Sequence, residues 1–347
     1  MHHKVVLIPG DGIGPEVTEA VKHILAAVTS GGEVEIEWIE HQAGVAALEA
    51  GSDAVLPVET IQAIKEHGVA LKGPCTTPVG GGFSSVNVAL RKTLNLYGAV
   101  RPIRSLEGVK TRYEDVDLVV IRENTEGLYS GIENKITEGV ITSLKVATEE
   151  ACRRISRFAF EYAVTRGRKK VTVFHKANIL KLTDGLMLKC AREEHEKDFY
   201  GKVEYQEQLI DAACMRLVQD PHLYDVIMCE NLYGDMISDL CAGLVGGLGV
   251  TPGANFGDEQ AVFEAVHGSA PDIAGQNIAN PLALLMSAVM MLRYLAETRD
   301  DQSCATAADR IRDAYNACLI NGEKTRDLGG DLGTDQFASA VVRKLEA

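Results

Sequence analysis

Residues 224–239 read YDVIMCENLYGDMISD and combine a short apolar run with the start of a helix. The apolar run before Asn231 has the length and composition of a buried strand. Asp235 and Asp239 follow four residues apart, so they lie on one face of the next helix. Acids at the end of a strand are typical of a metal or ligand site in an open α/β sheet. The alternative is structural, with Asp235 capping the helix and Asp239 simply solvated.

Strand-like and helix-like segments alternate along the whole chain, which predicts an α/β fold with a mostly parallel sheet covered by helices. The opening residues 4–28 show the pattern, with an apolar strand, the turn PGDGIGPE and an amphipathic helix. The turn does not complete the dinucleotide pattern GxGxxG, because Pro15 stands where the third glycine is needed. Proline suits the first turn of a helix instead, so the turn disfavours a Rossmann phosphate site.

Two clusters of proline and glycine, at residues 101–102 and 251–253, are the best candidate domain boundaries. They predict a large domain built from both termini, residues 1–100 and 252–347, and a smaller inserted α/β domain, residues 101–251. Within the insert, the alternating residues 129–146 predict a β-hairpin. We expect this arm, about residues 130–147, to contact a second subunit.

Charge and apolar content limit the possible partners. The 347 residues include 35 Lys and Arg against 49 Asp and Glu, a formal charge of −14 that repels polyanions. Nucleic acid and anionic membrane surfaces are therefore not expected partners. The longest apolar stretch begins at Pro281 but is interrupted by Arg293 and is too short to span a bilayer. The N-terminus enters a strand without the pattern of a secretory signal.

The eight cysteines contain no CxxC pair and no zinc-binding spacing along the chain. Free thiols in a reducing compartment are the simplest interpretation. Together with the missing secretory pattern, they predict a cytoplasmic protein.

An anionic ligand would need a local group of cations in so acidic a chain. Ser85, Asn87 and Arg91 lie close together at the start of a predicted helix, where backbone N–H groups and the helix dipole attract anions. Arg101 and Arg122 lie at the ends of neighbouring elements, and guanidinium groups bind carboxylates in a bidentate manner. A single arginine of this kind would be an ordinary surface residue. Three together favour a polycarboxylate site.

Five longer stretches carry a resemblance to a known family. They are GGGFSSVNVALR (80–91), IRENTEGLYSGIE (121–133), HKANILK (175–181), NLYGDMISDLCAGLVGGLGVTPGAN (231–255) and FEAVHGSAPDIAGQNIANP (263–281). With these motifs the chain closely resembles the β-decarboxylating dehydrogenases, the isocitrate/isopropylmalate dehydrogenase family, from residue 9 to residue 330. The resemblance implies that family's fold, which is not a Rossmann fold. It is strongest to the NAD-dependent members that act on isocitrate.

The resemblance also implies a reaction and its residues. The family oxidises the 2-hydroxyl of its substrate by hydride transfer, releases CO2 and reprotonates the enol, which for isocitrate yields 2-oxoglutarate in the tricarboxylic acid cycle. Lys176 matches the family's general base and Tyr129 its general acid. Each has an ordinary alternative, because Lys176 follows a strand as surface lysines often do and Tyr129 could be a hairpin aromatic. The substrate-binding positions match Ser85, Asn87, Arg91, Arg101 and Arg122.

Three aspartates match the metal ligands of the family, namely Asp211, Asp235 and Asp239. Ionised carboxylates a few ångströms apart repel by roughly 4 kcal/mol per pair at an effective dielectric constant of 20, so the group needs a cation. Ligation by oxygen alone indicates Mg2+ or Mn2+. In the family, Asp211 and Lys176 come from the second subunit. The resemblance therefore implies a homodimer with shared active sites and leaves open whether dimers pair into a tetramer.

The cofactor positions of the family match a loop near residue 270. They are His267, Gly268, Asp272, Ile273 and Asn280. An aspartate at position 272 can accept hydrogen bonds from both ribose hydroxyls and would repel a 2′-phosphate. The expected cofactor is therefore NAD rather than NADP.

Related activities remain as alternatives. 3-Isopropylmalate and homoisocitrate dehydrogenases share the same base, metal and cofactor positions. The polar pair Ser85 and Asn87 suits the γ-carboxylate of isocitrate, whereas an isopropyl group would require apolar side chains. A regulatory subunit of a heteromeric enzyme is a further alternative, although this chain keeps Tyr129, Lys176 and the three aspartates.

Overall fold

The computed structural model describes residues 1–32, 34–78, 82–83 and 85–346. Part of the motif GGGFSSVNVALR therefore lies outside the described residues. The strands are β1 (His2–Ile8), β2 (Glu35–Glu40), β3 (Val69–Lys72), β4 (Gly98–Arg104), β5 (Asp117–Glu123), β6 (Glu133–Thr137), β7 (Val140–Ser143), β8 (Lys170–His175), β9 (Glu204–Leu209), β10 (Val226–Cys229), β11 (Pro252–Phe256) and β12 (Ala261–Ala265). The helices are α1 (Gly14–Thr29), α2 (Val45–Glu49), α3 (Val58–His67), α4 (Val86–Thr93), α5 (Glu149–Thr165), α6 (Thr183–Glu194), α7 (Ile210–Gln219), α8 (Asn231–Leu244), α9 (Leu282–Thr298), α10 (Gln302–Ile320) and α11 (Thr334–Leu345).

Ten of the strands form one sheet in the order β2-β1-β3-β12-β11-β4-β5-β10-β8-β9. Neighbouring strands run parallel except where β11 pairs with β12 and β4, and where β4 pairs with β5. The prediction of a mostly parallel α/β sheet is confirmed. The antiparallel strands lie in the middle of the sheet, between two parallel halves.

Apolar side chains alternate between the two faces of the sheet, and helices cover both. In β1, Val5 and Leu7 pack into the main core with α1, α9, α10 and α11, while Val6 and Ile8 pack on the other face with α3 and α4. In β5, Leu118 and Val120 share the main core with α7 and α8, while the opposite face packs against α5 and α6. Burial on both faces explains the nearly continuous apolar runs of these strands. Within the described residues, no helix is both long and apolar enough to cross a membrane.

The predicted domain boundaries lie at paired strands of the main sheet. The clusters at residues 101–102 and 251–253 were the candidate boundaries, yet residues 101–102 belong to β4 and residues 252–253 to β11, where Val100 pairs with Ala254. Gly253 is needed for a close approach, because a Cβ atom there would lie 1.6 Å from Nη1 of Arg101. One continuous sheet therefore joins the strands of residues 1–100 and 252–347 to those of 101–251. The division into two domains stays a prediction.

The hairpin predicted for residues 129–146 is present as β6 and β7, which pair with each other outside the main sheet. The turn falls at Gly139, whose φ of 76° favours glycine. Both strands are exposed along their whole length, and Ile136 and Ile141 are 64% and 71% exposed. Exposed β-branched side chains on a projecting arm suit contact with another chain, and that contact remains a prediction.

Candidate active site

Eight of the residues predicted for the site line one cleft with a volume of about 300 Å³. They are Ser85, Asn87, Arg91, Arg101, Arg122, Tyr129, Asp235 and Asp239. Sheet topology explains the convergence, because β5 and β10 are parallel neighbours and Arg122 lies opposite Cys229 at their carboxyl ends. Helix α8 starts two residues later and carries both aspartates to the same edge of the sheet.

Arg122 is held rigidly beneath the cleft by helix α8. Its side chain is 2% exposed, and its Nε and Nη2 atoms both donate to Oδ1 of Asn231, at 2.9 and 2.7 Å. Its Nη1 atom donates to Asp235. The absence of a side chain at Gly234 makes space for Arg122, since a Cβ atom at position 234 would lie 2.6 Å from Cβ and Cγ of Arg122. Burial and the nearby Arg91 lower the pKa of Arg122.

Glu264 balances the charge of the cations, and the sequence analysis missed it. It is 3% exposed and lies 2.9 Å from Nζ of Lys72, 3.1 Å from Nη2 of Arg91 and 3.5 Å from Nη2 of Arg101. Burial alone would raise the pKa of Glu264, but Lys72, Arg91 and Arg101 hold it well below its usual range. In the sequence, the only sign of this role was a glutamate inside the apolar run AVFEAV. A glutamate in such a run needs buried cationic partners, but this became evident only when the run proved to be the central strand β12.

Some hydrogen-bonding groups in the cleft wall have no partner among the described residues. They are Nε of Arg91, Nη1 of Arg101 and Oδ1 of Asn87, all buried. Burial also lowers the pKa of Arg101 to about 10. Buried guanidinium donors left unpaired cost free energy, on the order of 1–3 kcal/mol each. A bound carboxylate would satisfy them, so this wall has the properties of an anion site.

Tyr129 lies against the same aspartate as Arg122. Its hydroxyl donates to Oδ2 of Asp235, and its ring lies 5.0 Å below the guanidinium of Arg122. Burial and the hydrogen bond to Asp235 raise the pKa of Tyr129, so its hydroxyl keeps its proton near neutral pH. The hydrogen bond places this proton at the cleft.

Asp235 does not cap helix α8, so the structural alternative for this residue is wrong. Glu230 caps the helix instead, with Oε1 accepting from the backbone N–H of Tyr233 at 2.9 Å. Burial would raise the pKa of Asp235, but Arg122 and Tyr129 keep it low. Burial and the neighbouring Asp235 raise the pKa of Asp239. Two carboxylates one helical turn apart suit a hard divalent cation, which prefers oxygen ligands and would relieve their repulsion.

Lys176 and Asp211 do not line this cleft. They follow the adjacent strands β8 and β9, whose carboxyl ends bring Lys176 Nζ to 2.8 Å from Asp211 Oδ1. A hydrogen bond from Lys176 lowers the pKa of Asp211. The side chains are 28% and 64% exposed. Their predicted role in the site of a second subunit is compatible with this placement and stays a prediction.

The predicted cofactor residues lie on the loop that follows β12. The Nδ1 atom of His267 donates to the carbonyl of Gly268 at 2.9 Å, and burial lowers the pKa of the imidazole. Its buried Nε2 atom has no partner among the described residues. Asp272 is exposed, whereas Ile273 packs against the main core. The side chain of Asn280 is anchored, because its Oδ1 accepts from Leu282 N and its Nδ2 donates to Asp327, each at 2.9 Å. Its contact with a cofactor stays a prediction.

The glycine-rich turn PGDGIGPE holds this loop in place. Ile13 N donates to the carbonyl of Ser269 at 2.8 Å. Gly12 has a φ of 60°, and a Cβ atom there would lie 2.1 Å from that same carbonyl oxygen. The Ser269 hydroxyl shares a hydrogen bond of 2.7 Å with Thr76 Oγ1. In the described structure these glycines serve backbone packing.

An α/β sheet with an arginine-lined cleft and two carboxylates at one edge has the features of proteins that bind small polyanions. Comparison with known proteins then gives the family. The model of the isocitrate/isopropylmalate dehydrogenase family matches residues 4–341. The chain belongs to this family.

Individual relatives are similar along nearly the whole chain. A mitochondrial NAD-dependent isocitrate dehydrogenase catalytic subunit from Arabidopsis thaliana is 51% identical, covering 98% of this chain and 87% of the relative. A chloroplastic 3-isopropylmalate dehydrogenase from Solanum tuberosum is also 51% identical, covering 92% of this chain and 86% of the relative. The crystal structure of isocitrate dehydrogenase from Methylococcus capsulatus superposes with a TM-score of 0.92 at 46% identity, covering 99% and 100% of the two chains. The predicted family fold is confirmed.

The predicted cytoplasmic location is wrong by this comparison. The relatives named as NAD-dependent isocitrate dehydrogenase subunits, a regulatory subunit among them, are mitochondrial proteins. All eight cysteines are free thiols in the structure. Free thiols indicate a reducing compartment without saying which one, so they could not support the cytoplasm in particular.

Proposed function

We propose that this protein catalyses the oxidative decarboxylation of isocitrate to 2-oxoglutarate and CO2, with hydride transfer to NAD. The observation that carries the proposal is the cleft wall in which buried donors of Arg91 and Arg101 lack partners beside the fixed guanidinium of Arg122. A tricarboxylate supplies the acceptors that these donors need.

The rim of the cleft favours isocitrate over 3-isopropylmalate. Ser85 and Asn87 line it with a hydroxyl and an amide, and Oδ1 of Asn87 is buried without a partner among the described residues. The Ser85 hydroxyl and the Asn87 amide N–H groups can donate to a substrate carboxylate, whereas an isopropyl group cannot accept from them. Val88 contributes the apolar part of this rim. Because the potato relative is as similar as the Arabidopsis one, 3-isopropylmalate remains the second candidate substrate, ahead of homoisocitrate.

Asp235 and Asp239 are the residues of this chain that would hold Mg2+ or Mn2+, together with Asp211 of the partner subunit. When bound, such an ion stabilises negative charge on the substrate oxygen during oxidation and decarboxylation. Asp235 already accepts hydrogen bonds from Arg122 and Tyr129, so its position is fixed before any ligand arrives. That preorganisation suits a metal ligand.

Two side chains would move protons in the reaction. Tyr129 is protonated and points its hydroxyl at the cleft, as a general acid for the enol requires. Lys176 of the partner subunit would accept the proton of the substrate hydroxyl. A general base must reach its proton directly or through one water, and Lys176 does not line the cleft of its own chain. The active enzyme is therefore proposed to be a homodimer.

The loop after β12 would bind NAD. Asp272 is exposed and can accept hydrogen bonds from ribose hydroxyls, and its charge would repel the 2′-phosphate of NADP. His267 offers a neutral imidazole whose unpaired Nε2 atom can accept a hydrogen bond from the cofactor. When bound, NAD accepts the hydride from the substrate.

Initial rates with isocitrate, homoisocitrate and 3-isopropylmalate test the proposal, each measured with NAD and NADP and with or without chelator. We expect NAD reduction with isocitrate only when Mg2+ or Mn2+ is present. Faster turnover of 3-isopropylmalate would reassign the substrate, and full activity in excess chelator would exclude the metal. No turnover with any substrate, by a folded dimer, would favour a regulatory subunit.

A further inference from the structure

A second group of potential ligands lies at the start of β1, and none of its members lines the cleft. His3 Nε2 lies 2.8 Å from Asp301 Oδ2 and 3.4 Å from Cys304 Sγ. One ligand atom from each of the three residues lies within 4.8 Å of the other two. No other set of three His, Cys, Asp or Glu side chains in the described part of the chain meets this distance limit.

All three side chains are buried, with exposures of 5% for His3, 5% for Asp301 and 0% for Cys304. His3 occupies the first buried position of β1, where the strand otherwise places Val and Leu, while its neighbours His2 and Lys4 are exposed. Asp301 is the N-cap of α10, and its Oδ1 accepts from the backbone N–H of Ser303 at 3.1 Å. The cap leaves Oδ2 facing His3 and 3.5 Å from the amino group of Met1.

We propose that His3, Asp301 and Cys304 bind a divalent transition metal ion such as Zn2+ at a structural site distinct from the catalytic cleft. Imidazole nitrogen, thiolate sulfur and carboxylate oxygen are the ligands that Zn2+ takes in proteins. A hard cation such as Mg2+ would avoid the sulfur.

The geometry and charge of the group fit this ion. Zinc bonds of about 2.0 Å to nitrogen and 2.3 Å to sulfur place tetrahedral ligands roughly 3.5 Å apart, close to the 3.4 Å between His3 and Cys304. The distance between His3 and Asp301 would widen by about half an ångström. One thiolate and one carboxylate neutralise a charge of +2. The occupied site would therefore bury no net charge.

Proton release accompanies binding. Burial and the nearby Asp301 raise the pKa of Cys304 to about 12, so the metal-free thiol is protonated. Coordination forms the metal–sulfur bond and releases the thiol proton to solvent. His3 exchanges the Nε2 proton that it donates to Asp301 for a proton on Nδ1, which frees Nε2 to bind the metal. A fourth ligand, such as water, would complete the tetrahedron. The bound ion would connect β1 to the start of α10, elements almost the whole chain apart in sequence.

The experiment uses the full chain without a histidine tag, stripped with a chelator and dialysed. Excess Mg2+ occupies sites made of oxygen ligands alone. Zn2+ binding is then measured by elemental analysis and thermal denaturation, and Co2+ binding by its thiolate absorption band. The variants are Cys304→Ser and Asp301→Asn, in which asparagine keeps the helix cap. Cys318→Ser is the control, because Cys318 is equally buried in the same helix.

We expect one equivalent of Zn2+ per chain, a raised Tm and a cobalt–thiolate band in the native chain and in Cys318→Ser. Cys304→Ser should lose the band, and Asp301→Asn should bind Zn2+ at least tenfold more weakly. If Cys304→Ser fails to fold, the Zn2+ affinity of Asp301→Asn tests the proposal in its place. A native chain that binds no equivalent would overturn the proposal, as would an Asp301→Asn or Cys304→Ser variant that binds as tightly as the control.

Discussion

The cleft and the Lys176–Asp211 pair differ in how firmly the fold holds them, although both carry predicted catalytic residues. In the cleft, Arg122 is buried and contacts Asn231, Asp235 and Tyr129, so its position has several independent supports. Lys176 and Asp211 are partly exposed and form an ion pair with each other. A single chain therefore positions the arginines of the cleft with several contacts, whereas Lys176, the proposed general base, is held by one partly exposed ion pair.

The largest expected effect is on turnover. Lys176→Met should lower kcat by about 100- to 10,000-fold, the range for removing a general base, while leaving Tm nearly unchanged because Lys176 is partly exposed. Steady-state kinetics and thermal denaturation measure the two quantities. Turnover within twofold of the native enzyme would mean that the base lies elsewhere.

Mixed dimers sharpen this result. Co-expressing Lys176→Met with Asp239→Asn gives half mixed dimers by random pairing. In each, one site combines an intact cleft with an intact lysine from the partner subunit. About a quarter of native activity should return, as expected for a symmetric dimer with shared sites. If Lys176 served the cleft of its own chain, mixing would restore nothing.

The next effect is on stability. Glu264→Gln leaves buried Lys72 and Arg101 without their carboxylate and should lower the free energy of unfolding by about 3–5 kcal/mol. Asp211→Asn is the matched control and should change it by less than about 0.5 kcal/mol, because its ion pair is exposed. Urea unfolding measures both. Equal effects would show that the cleft is no more firmly held than the exposed pair.

The loss of stability caused by Glu264→Gln should depend on pH. Glu264 has a folded-state pKa held below the unfolded value of about 4.3. Its contribution to stability is therefore complete above that value and is lost as pH falls toward the folded pKa. The stability difference between native and Glu264→Gln should narrow below about pH 4.

The smallest effect concerns the support of Arg122. Gly234→Ala adds a methyl group 2.6 Å from the Arg122 side chain and should cost about 1–3 kcal/mol while raising KM for isocitrate. Gly243→Ala lies in the same helix, and its Cβ would meet nothing within 4 Å. That control should stabilise the protein by about 0.5–1 kcal/mol through helix propensity. An unchanged KM for Gly234→Ala would mean that Arg122 tolerates displacement.

Several elements were predictable because their signals are local. Helix α8 and strand β5 follow from apolar periodicity, and Asp235 and Arg122 lie near their ends. Strands β4, β11 and β12 were not predicted. Proline and glycine in β4 and β11 resemble turns, and only their pairing in the middle of the sheet makes them strands.

The sequence alone determined the family, the parallel α/β alternation and eight of the residues that line the cleft, because long motifs and periodicity are properties of neighbouring residues. Only the tertiary structure showed that Glu264 balances the charge of Lys72, Arg91 and Arg101. It also showed that Glu230 caps α8 in place of Asp235 and that Lys176 does not line the cleft of its own chain. It alone brought His3 beside Cys304, across 301 positions of sequence. Contacts of this kind depend on how distant strands and helices pack, so the spacing of residues along the chain does not predict them.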